Sequence, residues 1–171
     1  MTPDRAATED DLFALLRALD IETVTHRHEP LHTVDQSQAA RDGLPDMPGG
    51  HCKNLFLKDK KAAFWLVVTL EDKKINMKAL QKTLGSARLS FARSEYMLEK
   101  LGVEPGSVTP FAAINETSQG VQFVLDRDLL KYEILNYHPL HNAATTAINT
   151  KDLLIFLRHC GHQPLLVDMG D

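Results

Sequence analysis

Lys53-Asn54-Leu55-Phe56-Leu57-Lys58, then Asp59-Lys60-Lys61, then Ala62-Ala63-Phe64-Trp65-Leu66-Val67-Val68-Thr69-Leu70 is the stretch that decides the fold class. Two apolar runs of strand length flank a short polar break, and both are rich in residues that suit a pleated surface. The pattern predicts strands over 53–58 and 62–70 joined by a tight turn at Asp59-Lys60. Phe56, Phe64 and Trp65 fall inside these runs and read as core, not as a platform for stacking bases.

Around this hairpin, helical and strand signals alternate without a regular rhythm. Thr8 is an N-cap candidate, and Leu12, Leu15, Leu16 and Leu19 recur at helical spacing, which predicts a helix over 9–19. Ile21 to His26 reads as a strand and Asp35 to Asp42 as a short helix stopped by Gly43. Leu44 to Gly50, with two prolines and two glycines, reads as a loop. Beyond the hairpin, Ile75 to Leu84 is helical with Gly85 at its end, and Ala87 to Ala92 is a short strand. Ser94 then caps a helix running to Leu101, and Pro105 to Pro110 is a loop. Strands are expected at Val121–Leu125, Tyr132–Tyr137, Thr145–Ile148 and Pro164–Asp168. Thr150 is expected to cap a last helix, Lys151 to Cys160. A single domain over residues 1–171 follows. Its class is α/β of the α+β type: a mixed, largely antiparallel sheet or partial barrel surrounded by helices.

Composition narrows the function classes. The 43% hydrophobic and 25% charged content is that of an ordinary globule. No apolar run reaches the length of a membrane span, and the acidic N-terminus lacks the features of a secretory signal. Cys52 and Cys160 are far apart with no CxxC spacing, so a reducing, cytoplasmic setting is expected. The net charge of −4 hides an asymmetry: residues 53–93 hold ten Lys or Arg against three acids, while the rest holds nine against twenty. A local +7 is either a footprint for a phosphate backbone or a solvated lysine-rich face. His26 and His28 share a strand face and His32 follows. No carboxylate accompanies them as in zinc signatures, so neither metal nor cofactor is expected. Adjacent strand residues point to opposite faces, which argues against a dyad of His51 and Cys52.

Three further stretches carry chemistry: Gly49-Gly50-His51-Cys52-Lys53-Asn54-Leu55-Phe56-Leu57, Gly106-Ser107-Val108-Thr109-Pro110-Phe111 and His138-Pro139-Leu140-His141-Asn142. Lys53 opens an apolar strand beside a glycine pair. It is either a surface lysine or a compact cation placed to meet a phosphate oxygen or the polar end of an ester. Asn54 orients a substrate or closes the loop. Gly106 permits close backbone approach and Pro110 fixes the exit, in a functional loop or in an ordinary turn. His138 precedes a proline and is either structural or part of a pocket.

In order and spacing these stretches resemble the YbaK-like family of trans-editing domains, related to the editing insert of bacterial prolyl-tRNA synthetases. The similarity runs over nearly the whole chain, and the first and third stretches look closest to the free-standing branch that deacylates alanyl-tRNA(Pro). The resemblance implies that Lys53 anchors the terminal adenosine and stabilises charge near the scissile ester. It implies that the loop from Gly106 through Ser107, Val108 and Thr109 to Pro110 holds the α-amino group and the ester through its backbone, and that His138 shapes the amino-acid pocket. It implies no protein nucleophile, the 2′-hydroxyl of the terminal ribose helping to place the water. The expected partner is the acceptor end of tRNA(Pro) carrying alanine, met by Lys60, Lys61, Lys73 and Lys74. Prolyl-tRNA synthetase is a candidate partner, and the chain is expected to be a monomer. The alternatives are a deacylase for cysteinyl- or another small aminoacyl-tRNA, and a non-catalytic tRNA-binding module.

Overall fold

The computed structural model describes residues 6–29 and 48–169. The expected helix at 35–42, most of the loop at 44–50 and His32 lie outside the described residues.

Helix α1 (Glu9–Ala18) opens on a reciprocal capping box: Thr8 accepts from the Asp11 amide while Asp11 accepts from the Thr8 amide. It buries Leu12 and Leu16. The chain continues into β1 (Thr23–Arg27), β2 (Gly50–Asp59) and β3 (Phe64–Leu70). Then come α2 (Met77–Leu84), β4 (Leu89–Phe91) and a short helical turn, Ser94–Tyr96, that widens into a π-turn over Met97–Leu101. Strands β5 (Val121–Asp126), β6 (Ile134–Tyr137) and β7 (Ala144–Asn149) lead to helix α3 (Thr150–His159) and strand β8 (Leu165–Val167).

The strand order is β1-β7-β6-β2-β3-β5-β8, with β4 added on β2. Four pairings are antiparallel and three parallel among the described residues, so the sheet is mixed. The hairpin is present, with β2 antiparallel to β3 from Cys52 opposite Leu70 to Lys58 opposite Phe64. Its turn is longer than the expected Asp59-Lys60. Asp59 Oδ1 accepts from the amides of Lys61 and Ala63, and Ala62 has a φ of 65°, so β3 begins at Phe64.

Two caps differ from expectation. Thr150 is the first helical residue of α3, and Asn149 caps it by accepting from the Lys151 amide. The Thr150 hydroxyl instead donates to the Tyr132 carbonyl at 2.6 Å, binding the helix start to the approach of β6. Ser94 is likewise inside its helical turn, with Arg93 at the cap and no side-chain cap bond. Strand β2 is longer than expected because Gly50 and His51 pair with Leu135 and Asn136 of β6. Gly49 permits that approach: it has a φ of 99°, and a Cβ there would collide with the Ile134 carbonyl.

Side-chain alternation along β2 and β3 divides the interior. Phe56, Leu66 and Val68 face the main core with Leu12, Leu16, Phe111, Phe123 and Phe156. Leu57 and Val67 face a smaller cluster closed by Leu80 of α2, Leu89 and Val124.

Candidate active site

One edge of β2 is paired along its length with β3. The other edge is divided. Gly50 and His51 hold β6, while Leu57 to Asp59 hold β4, and Ala92 donates to the Phe56 carbonyl. Between these contacts, over Cys52–Leu55, no described strand covers β2. The two half-sheets part there, and the parting carries Lys53 and Asn54.

Register fixes which way each of these points. Lys53 stands across from Thr69, on the face of the smaller cluster, and is half-buried. Asn54 stands across from Val68, on the main core side. Its Oδ1 is buried and accepts no hydrogen bond from any described residue. No carboxylate among the described residues pairs with Lys53. Asp126, which lies on the same face across β3, is already engaged: Oδ2 accepts from the Thr69 hydroxyl at 2.7 Å and from Lys73 Nζ at 2.7 Å. Lys73 Nζ also reaches Asp128 Oδ2 at 2.6 Å. Burial opposes the charge on Lys73, but the bonds from Asp126 and Asp128 outweigh it and raise its pKa.

That network corrects one assignment. Lys73, expected to meet tRNA, is 8% exposed and committed to a buried ion pair, so it has no reach to a phosphate. Lys60, Lys61 and Lys74 are exposed. Lys60 and Lys61 occupy the hairpin turn, about 23 Å along β2 from Lys53 by the rise of a strand. Lys74 lies just beyond β3, at the Lys53 end. The basic block is thus split between the two ends of the hairpin.

The Gly106–Pro110 segment is anchored from its far side. Gly106 has a φ of 87° and the Ser107 amide donates to the Glu104 carbonyl. Ser107 and Thr109 are buried, Val108 packs on the main core, and Thr109 Oγ1 accepts from the Phe111 amide. Pro110 opens a 3-10 turn, Pro110–Ile114, whose Phe111 ring meets Tyr137 at 5.9 Å and Phe156 at 5.6 Å, both edge to face. The loop is therefore set against the end of β6, one residue before His138. Because β6 runs parallel to β2 from Gly50–Leu135 to His51–Asn136, the chain leaving at His138 passes the part of β2 that bears Lys53 and Asn54. His138 Nδ1 donates to the Ala144 carbonyl at 3.1 Å. The Gly106 and His138 stretches thus meet at Tyr137, whose hydroxyl adjoins the Cys52 sulfur of β2.

The buried thiols and the Ser118–His162 pair are unsuited to act as protein nucleophiles. Burial pushes the Cys52 thiol up to about 12, and its sulfur lies against the Tyr137 hydroxyl. Burial pushes Cys160 to about 11. Ser118 Oγ does lie 3.0 Å from His162 Nε2. Its proton goes to the Asn115 carbonyl at 2.7 Å, so the imidazole is the donor and no base. Ser118 is also fully buried. His26 and His28 form no metal-type cluster among the described residues.

The sequence model described as the aminoacyl-tRNA editing domain matches residues 28–156. The chain belongs to the aminoacyl-tRNA editing domain family. It is 40% identical over 162 residues to the Xenopus laevis prolyl-tRNA synthetase associated domain-containing protein 1, covering 92% of this chain and 94% of that one. It is 33% identical over 143 residues to the prolyl-tRNA editing protein ProX of Acetoanaerobium sticklandii, covering 83% and 85%. A structure solved as a candidate trans-editing enzyme for prolyl-tRNA synthetase superposes with a TM-score of 0.68 at 19% identity, over 94% of this chain and 96% of that one. The structure of hypothetical protein APE2540 gives 0.72 at 20% identity, over 94% and 99%. The expected YbaK-like class and mixed sheet are those of this editing domain.

Sequence reading missed the residues behind the site. Asp126 is the last residue of β5 and Thr69 the last but one of β3, both largely apolar strands, and a polar residue in such a run is the signal that was available. Glu9 and His141, 2.9 Å apart, are 132 residues apart in sequence, and no local pattern links them.

Proposed function

We propose that this editing domain is a deacylase that hydrolyses the ester of mischarged alanyl-tRNA(Pro). The observation that carries the reading is the parting of β2 over Cys52–Leu55, which holds, on opposite faces of the strand, a Lys53 with no carboxylate partner among the described residues and a buried Asn54 Oδ1 with no described donor. An uncompensated cation in a partly desolvated cleft stabilises charge developing on an ester far better than one in water. A buried acceptor without a donor is costly, and a substrate hydroxyl or ammonium group would satisfy it. Lys53 meets the terminal adenosine and the ester. The backbone of Gly106–Pro110 receives the α-amino group, and His138 borders the side-chain pocket. The protonated, buried thiols suit a route in which water attacks directly, placed by the 2′-hydroxyl of the ribose. A preference for alanine requires a site that admits the small side chain and excludes larger ones, supplying a discrimination that a synthetase pocket cannot make alone.

The test is a deacylation panel with purified protein: alanyl-, cysteinyl-, seryl- and prolyl-tRNA(Pro), and alanyl-tRNA(Ala). Preferential turnover of alanyl-tRNA(Pro) is expected. Preference for cysteinyl-tRNA moves the substrate, and binding of tRNA without hydrolysis of any ester replaces the enzyme with a binding module.

A further inference from the structure

Glu9, in the first turn of α1, is tied to two segments remote from it in sequence. Its carboxylate takes the Arg27 guanidinium of β1 through both oxygens, with Nη2 to Oε2 at 2.9 Å. Its Oε1 also accepts from His141 Nε2 at 2.9 Å. The side chain is 18% exposed. Burial works against the charge, but the bonds from Arg27 and His141 outweigh it and hold the carboxyl below its usual range.

The tautomers follow from the partners. His141 Nδ1 accepts from the Ala143 amide at 3.1 Å, so its ring proton is on Nε2, where it is given to Glu9. His138 Nδ1 faces the Ala144 carbonyl, which can only accept, so its proton is on Nδ1 and Nε2 is the ring's acceptor. That Nε2 bonds no described residue. Burial lowers the His138 pKa, with the neighbouring His28 and His141 adding to it, so the neutral ring prevails near pH 7. Between these two histidines Leu140 has a φ of 74°, a conformation a leucine holds only when its surroundings impose it. The far end of the loop is fastened by the His28 amide donating to the Ala143 carbonyl at 3.0 Å.

We propose that Glu9 is a positioning residue for His138. It grips His141, His141 fixes the loop from His138 to Ala144, and the loop holds His138 in its Nδ1–H form with Nε2 presented to a donor on the bound aminoacyl-adenosine. The proposal rests on the editing reading for its substrate, though not for its geometry.

Two measurements test it. In alanyl-tRNA(Pro) deacylation, Glu9→Ala and His141→Ala should each lower kcat by about tenfold with KM little changed, since small misplacements at a reacting centre are costly. The double variant should be no slower than either single one, because the pair acts as a unit. Glu9→Gln keeps an acceptor for His141 and should recover most of kcat. Arg27→Ala removes the other partner of Glu9 and should lower Tm while leaving kcat alone. Separately, imidazole nitrogen NMR of the tRNA-free protein should show a single Nδ1–H form of His138 in the wild type. Glu9→Ala and His141→Ala should give a mixture. Wild-type kcat together with an unchanged His138 tautomer in both variants overturns the proposal. A wild-type protein that deacylates nothing, yet loses the single tautomer in Glu9→Ala, overturns the editing reading and leaves the clamp standing.

Discussion

Lys53 stands directly across from Thr69, and the Thr69 hydroxyl is spent on Asp126 at 2.7 Å. Asp126 in turn holds Lys73. Asp126, in line with Lys53 across β3, is thus engaged by Lys73, and no carboxylate among the described residues pairs with Lys53.

Lys53→Ala should therefore cut kcat/KM for alanyl-tRNA(Pro) by about a hundredfold, on the order of 3 kcal/mol, as for loss of one charge-stabilising group. Tm should stay close to the wild type, because Lys53 has no described ion pair to lose. Paired kinetics and thermal melts check this, and wild-type turnover in a folded variant refutes the assignment.

Asp126→Ala tests the network behind the site. It leaves the buried Lys73 with only the half-exposed Asp128. Removing one partner of a buried ion pair costs roughly 3–5 kcal/mol. Urea unfolding should show that loss, and Lys73→Met combined with Asp126→Leu should recover much of it. Equal stability of Asp126→Ala and the wild type would mean that the pair is not buried in solution.

The split of the basic block makes a graded prediction for tRNA. Replacing Lys74 by Gln, near the Lys53 end, should raise KM and flatten its salt dependence, since fewer counterions are released. Replacing Lys60 and Lys61 should do less unless the acceptor arm runs along the hairpin. None of these changes should alter the preference for alanyl- over prolyl-tRNA(Pro). KM at several salt concentrations decides it, and unchanged values for every combination would make the block a solvated face.

Stability should fall on mild acidification. Burial lowers the pKa values of His138 and of His162, whose ring lies 4.2 Å from Phe123. The unfolded chain takes up protons at about pH 6.5, before the folded one does. Between the two pKa values the unfolded state binds more protons, so stability is full above about 6.5 and declines as pH drops below it. Urea midpoints at pH 7.5, 6.5 and 5.5 should fall in that order, and His162→Gln should flatten the trend. A constant midpoint across the window contradicts the burial of both rings.

Local chemistry in the sequence determined a good part of this. The β2–β3 hairpin follows from two apolar runs around a polar turn, α1 from Thr8 and the leucine spacing, and the helix stops from Gly85 and Gly102, both left-handed. The three motif stretches carried the resemblance to the editing family that the matching sequence model shows. Tertiary structure alone decided the rest, because it turns on partners distant along the chain. Lys73 looks like its exposed neighbour Lys74 until β5 brings Asp126 to it. Thr150 has the composition of a cap, yet its hydroxyl is claimed by Tyr132 and the cap passes to Asn149. The opening over Cys52–Leu55 exists because β6 and β4 take opposite ends of the same strand edge, a choice made by packing on the two sides of the sheet and not by the residues of β2.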